Sequence, residues 1–125
     1  MKNLFLIISF LLLFSCSQKS EEIVTKVEGD SLESQMIEAY NAGVIAMEQG
    51  DVLYATKKFN EAELLFPQSE WAPKAALMAS YAYWKQAYYK NSVEELKRFI
   101  KLYPKNENLD YAYYLLAMNF YDSIV

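Results

Sequence analysis

The chain contains no histidine, a single cysteine (Cys16), three glycines (Gly29, Gly43, Gly50) and three prolines. These shortages exclude whole classes of chemistry. Zinc sites built on Cys and His, a Ser-His-Asp or Cys-His couple, and a glycine-rich phosphate loop each lack indispensable parts, so no metal and no cofactor is expected. Positive charge is also short: 12 Lys and Arg stand against 16 Asp and Glu, a net charge of −4 over 125 residues. No surface of that composition neutralises a nucleic-acid backbone wholesale, which excludes nucleic acid as a partner. Carboxylates offer the only start for catalysis, in Glu61 with Glu63 or Glu94 with Glu95. Residues one or two apart on a helix do not share a face, and no electrophile or metal motif accompanies them, so an enzyme is not expected. What is abundant is aromatic: 11 Tyr, 7 Phe and 2 Trp allow one domain, or part of one, to bury a large surface.

Lys2 precedes an apolar run from Leu4 to Phe14, broken only by Ser9. Such a run is too short for a ~30 Å hydrocarbon core but suits the apolar region of a secretory signal. It ends in Leu13-Phe14-Ser15-Cys16, which resembles a bacterial lipobox. That resemblance implies a lipoprotein signal peptide over 1–15, cleavage before Cys16 and lipidation of its thiol. A sole cysteine carrying lipid leaves no disulfide possible in the oxidising periplasm. Its acyl chains would anchor the protein durably without a transmembrane helix. Ser17 follows, and in lipoproteins a residue other than Asp there is compatible with export to the outer membrane. The alternative is an ordinary signal peptide or short anchor with an incidental Cys. Residues 16–32 are polar and lack a clear helical period, which reads as a lipidated tether.

From Glu33 onward nothing alternates as a strand would, and Pro67, Pro73 and Pro104 all fall near expected helix boundaries. An all-α chain follows. The first helix is expected over about Ser34 to Gln49, closed by Gly50 as a left-handed cap, with Asp51 N-capping the next. The second, about Val52 to Phe66, aligns Val52, Ala55, Phe59, Ala62 and Phe66 on one stripe. The third, about Pro73 to Tyr88, is apolar nearly all round and must be covered on more than one side. Ser92 and Glu95 have capping-box spacing and open a fourth helix whose Val93, Leu96, Phe99, Ile100 and Tyr103 face inward. Asn108 is placed to cap a fifth, from about Leu109 to the end of the chain.

Phe66-Pro67 recurs as Tyr103-Pro104, 37 residues later, and a run of small and aromatic residues follows each. This is a helix-turn-helix repeat slightly longer than the ~34 residues of a tetratricopeptide unit. Gly43 marks a close helix crossing, and Ala55, Phe59, Ala62 and Pro67 follow the tetratricopeptide pattern. The second unit keeps Tyr83, Phe99 and Pro104 but has Ser92 and Leu96 where Ala and Phe are usual. The expected fold is a tetratricopeptide-like solenoid over 33–125, with two full repeats and the first helix of a third.

Two segments are more specific than a generic repeat. Tyr81-Ala82-Tyr83-Trp84-Lys85, and Arg98 to Pro104 leading into Asn108-Leu109-Asp110-Tyr111 and Tyr114, together resemble the BamD family, lipoproteins of the outer-membrane β-barrel assembly machinery. Members have about five units and roughly twice this length, so the resemblance implies a chain truncated at its C-terminus. It further implies a lipid-anchored scaffold at the periplasmic face of the outer membrane whose first units recognise unfolded β-barrel precursors, in particular a C-terminal segment ending in an aromatic residue. Contacts with a POTRA-bearing barrel subunit and with accessory lipoproteins would belong mainly to later units. The repeat pattern alone also permits another periplasmic adaptor lipoprotein, scaffolding envelope or cell-division proteins.

In tetratricopeptide solenoids the first helix of each pair lines the concave face. That projection places Tyr40, Val44 and Met47, then Lys74, Leu77, Tyr81 and Lys85, then Tyr111, Tyr114 and Met118 on or near a peptide groove. Tyr combines a large apolar face with a polar edge, Met adapts to varied side chains, and Lys74 or Lys85 could meet a terminal carboxylate. About half of such residues are expected to be inter-helix contacts instead. Lys85 and the run from Glu94 to Arg98 read by default as a solvated face, with Arg98 the member having the better claim to a ligand and, failing that, a cation at a helix C-terminus.

Overall fold

The computed structural model describes the backbone of residues 20–124 and side chains from residue 31 onward. Cys16 and the 1–15 segment therefore lie outside the described residues. The chain divides into two compact units, Met1–Ser31 and Leu32–Val125. Five helices are described: α1 (Ser20–Glu48), α2 (Val52–Leu65), α3 (Trp71–Lys85), α4 (Tyr89–Leu102) and α5 (Leu109–Asp122). Among the described residues there is no strand, and no helix is long and apolar enough to cross a membrane. Successive helices pack as antiparallel neighbours, giving an all-α, tetratricopeptide-like solenoid.

The helix boundaries follow local chemistry, with instructive exceptions. Gly50 takes φ +80° after α1, and the Asp51 side chain accepts the Tyr54 N–H at 3.1 Å to cap α2. Pro73 sits in the first turn of α3, where its missing N–H costs nothing. Helix α1, however, starts at Ser20 rather than near Ser34. Its opening residues carry no apolar stripe for a periodicity argument to detect, yet Glu21, Glu22 and Glu28 are good helix formers, with two acids at the favourable dipole end. Helix α3 ends at Lys85, and the turn to α4 places Ala87 at φ +62° without any glycine to signal it.

Helix α4 opens at Tyr89, so Ser92 is not its cap. Ser92 is fully buried inside the helix, and its hydroxyl donates to the Ser80 carbonyl of α3 at 2.8 Å. The small residue is there for a helix crossing, the position where the repeat pattern usually has Ala. Asn108 precedes α5 without a side-chain capping bond; the Asn106 side chain instead accepts the Asn108 N–H at 2.9 Å.

Helix α3 is the centre of the structure. Its Ala75 joins Met36, Ala39 and Ala62; its Ala79 and Ala82 join Ala46, Val52, Ala55 and Phe59; its Ala76 and Leu77 join Leu96, Phe99, Ala112 and Leu115. A helix touched on three sides has no room for a polar face, which is why its sequence lacks one. Gly43 of α1 lies directly against Phe59: a Cβ there would stand 2.8 Å from Phe59 Cδ1 and Cε1. Because Phe59 is fully buried, its ring has nowhere to retreat. Gly43→Leu is expected to cost about 1–3 kcal/mol by overpacking, read as a lower urea midpoint; an unchanged unfolding curve would remove the crossing from Gly43.

A candidate peptide-binding groove

The first helices of the three successive pairs, α1, α3 and α5, share a concave opening of about 370 Å³ lined by Tyr40, Lys74, Leu77, Met78, Tyr81, Asn108 and Tyr111. Each wall has a structural reason. Tyr40 is held edge-on by Phe59 beneath and Trp71 beside it, both with ring centroids at 5.4 Å. Leu77 forms the floor and belongs to the α3–α4–α5 core. Tyr81 leans on Trp84 at 5.7 Å, and Trp84 Nε1 donates to Asp122 Oδ2 at 2.8 Å, tying α3 to the end of α5. Lys74 Nζ lies 4.9 Å from the Trp71 ring centroid, a cation–π contact. Burial raises the hydroxyl pKa of Tyr40, and burial followed by the neighbouring Tyr81 and Tyr114 raises that of Tyr111. These phenols stay neutral donors at physiological pH.

Five of the ten residues placed in the groove by sequence thus line one opening: Tyr40, Lys74, Leu77, Tyr81 and Tyr111. Val44 and Met47 are partly buried against the cluster around Phe59. Lys85 is exposed, with its ammonium 5.9 Å from the Tyr81 ring centroid, outside the lining. Tyr114 is 57% exposed with its ring 6.1 Å from that of Tyr111, and Met118 is half-buried on α5; neither lines the opening. Met78 and Asn108 line it and were not anticipated. Met78 falls within the apolar run of α3, where nothing but its register distinguishes wall from core. Among the described residues no group of His, Cys, Asp and Glu could hold a metal ion.

Arg98 does not face the groove. It reaches from α4 to α2, where Nη1 and Nη2 donate to the two oxygens of buried Glu63 at 2.8 and 2.7 Å, while Nε donates to Glu95 at 2.8 Å. The Tyr103 hydroxyl donates to Glu63 Oε1 at 2.7 Å. Neither a ligand contact nor a dipole cation describes Arg98, because Glu63, from the preceding pair, completes a bidentate ion pair. Burial, then the hydrogen bond to Glu63, hold the Tyr103 phenol well above its ordinary pKa, and the hydrogen bond to Glu63 raises the Arg98 guanidinium. A raised folded-state pKa contributes stability that is complete below the unfolded value of about 10 and is lost as pH rises through the folded value. Unfolding free energy is therefore expected to fall above about pH 10. Tyr103→Phe should flatten that slope and cost about 1 kcal/mol at pH 7, checked by urea melts across pH.

The chain matches the family model of YfiO, described as an outer membrane lipoprotein, over residues 32–125. It is 35% identical over 86 residues to the outer membrane protein assembly factor BamD of Caulobacter vibrioides, covering 69% of this chain and 28% of that protein. The BamD of Rickettsia prowazekii is 31% identical over 97 residues, 78% of this chain and 39% of the relative. That of Xylella fastidiosa (strain Temecula1) is 24% identical over 114 residues, 91% of this chain and 37% of the relative. The chain thus matches less than two fifths of the length of these relatives. The matched region contains every wall of the groove and the Glu63–Arg98 pair, and on it the chain belongs to the YfiO family of outer membrane lipoproteins, as a BamD-like protein.

Proposed function

We propose that this protein is a non-catalytic scaffold of outer-membrane β-barrel assembly, anchored by lipid on Cys16 at the periplasmic face of the outer membrane, and that it helps recognise and insert unfolded outer-membrane proteins. The observation that carries the reading is the groove itself: α1, α3 and α5 contribute three tyrosines, a methionine, a leucine and a lysine to one opening. Such a lining suits a large apolar or aromatic side chain of an amphipathic segment, with ring faces for that side chain and hydroxyl edges for the polar groups beside it. Relatives that cover this region are named outer membrane protein assembly factors, which supports the same reading. Unfolded β-barrel precursors are the ligand. A POTRA-bearing barrel subunit and accessory lipoproteins are the stable partners.

Two experiments test it. The detergent-solubilised full-length protein is titrated with a labelled peptide copying the aromatic C-terminus of an outer-membrane barrel protein. Saturable binding that is lost when the terminal aromatic is removed, and weakened by Tyr81→Ala, supports precursor recognition; no binding overturns it. Anchoring is tested by Cys16→Ser, which should release an unlipidated protein into the soluble periplasmic fraction. A membrane-bound, uncleaved product would instead establish a plain signal anchor.

A further inference from the structure

The groove contains one charge. Among its seven lining residues Lys74 is the sole cation and there is no carboxylate, in a chain whose net charge is −4. Among the described residues Lys74 makes no ion pair, unlike Lys58, which pairs with Glu61, or Arg98, which pairs with Glu63 and Glu95. The Trp71 ring, whose centroid is 5.4 Å from that of Tyr40, holds the ammonium 4.9 Å from its own centroid without neutralising it, so the positive charge remains available to an incoming anion. Lys85, about one turn beyond Tyr81 at the end of α3, is exposed and outside the lining. At about 370 Å³ the opening is near the small end of ligand-site volumes, roughly 300–1,000 Å³, enough for one aromatic residue with its carboxylate rather than a run of residues.

Resting on the precursor reading above, we propose that Lys74 is the specificity-determining residue that reads the free terminal carboxylate of the ligand, with the terminal aromatic ring seated among Tyr40, Tyr81 and Tyr111. Asn108, whose side chain makes no capping bond to α5, stands on the α5 side of the opening and supplies an amide to the ligand backbone. The ligand therefore enters by its end, and the segment preceding the terminal residue runs outside the opening toward exposed Tyr114.

The test compares a barrel C-terminal peptide as its free acid with the same peptide amidated at the C-terminus, each titrated onto the full-length protein. Wild type should bind the amide about tenfold or more weakly, the scale of a hydrogen bond to a charged group. Lys74→Gln should bind the acid as weakly as the amide and so stop distinguishing them, Lys74→Arg should restore part of the difference, and Lys85→Gln should keep it whole. Lys74 is half-buried with no ion pair among the described residues and only the Trp71 cation–π contact to lose, so the melt of Lys74→Gln is expected to shift little, which separates a binding defect from unfolding. Equal binding of acid and amide by wild type overturns the carboxylate assignment and leaves the precursor reading standing, as does undiminished discrimination by Lys74→Gln. No binding of either peptide by wild type overturns both.

Discussion

Phe59→Ala is expected to destabilise the protein by about 3–5 kcal/mol, the range for removing a buried aromatic ring, and to be the most damaging single substitution in the first helical pair. Phe59 is fully buried and joins Ala46 of α1, its own helix neighbours Val52 and Ala55, and Ala79 and Ala82 of α3. The fully buried residues around it are alanines and Val52, too small to swing into the vacated space, and only Met47 and Met78 at the edge of the cluster are flexible enough to fill part of it, so much of the cavity would persist. The damage would not stay in the core. Tyr40 stands edge-on against the same ring at 5.4 Å and is a wall of the groove, so losing Phe59 removes the support that orients one side of the binding surface. Urea denaturation should show the stability loss, and peptide titration at low temperature, where the variant is still folded, should show weaker binding. Full stability with a normal groove would mean that the surrounding side chains, Met47 and Met78 first, do close the gap.

That residue also illustrates what could be read ahead of the structure. Of the stripe Val52, Ala55, Phe59, Ala62 and Phe66, the first four are buried as their spacing of three and four requires while Phe66 is the half-buried C-cap just past α2; Gly43 lies where a close crossing was expected, and Gly50 and Asp51 form the cap and the N-cap that their chemistry suggests. All of these are local signals, each legible within one helical turn or one repeat. Ser92 was misread because its spacing to Glu95 looks like a capping box, while its actual partner, the Ser80 carbonyl, lies on another helix. The early start of α1 escaped because propensity without periodicity leaves no stripe. In the groove, repeat register alone brought Tyr40, Lys74, Leu77, Tyr81 and Tyr111 to one face. Val44, Met47 and Met78 show the limit of that register: a small rotation of a helix decides whether an apolar side chain is wall or core.

The Glu63–Arg98 pair was invisible for the same reason and makes the second large prediction. Glu63 is buried, and its carboxylate is satisfied by two guanidinium nitrogens from α4 and by the hydroxyl of Tyr103, the residue at the C-cap of α4. Removing Arg98 would leave a desolvated anion with one remaining donor, a change that costs 3–5 kcal/mol where both partners are buried. The Arg98 side chain is 36% exposed, so water screens part of the interaction and Arg98→Ala is expected to cost about 2–3 kcal/mol. Arg98→Lys should recover little, since an ammonium cannot offer the planar fork that meets both oxygens while also reaching Glu95. The decisive comparison is the double variant Glu63→Leu with Arg98→Met. Taking away both charges removes the desolvation penalty along with the attraction, so the double variant should be more stable than Arg98→Ala alone, although one helical pair would lose its polar register against the next. Urea melts of wild type and the three variants check this: a double variant no more stable than Arg98→Ala would mean that the cost of Arg98→Ala is not the uncompensated Glu63 charge, whereas recovery to near wild-type stability would show that the pair adds little net stability to the contact of α2 with α4.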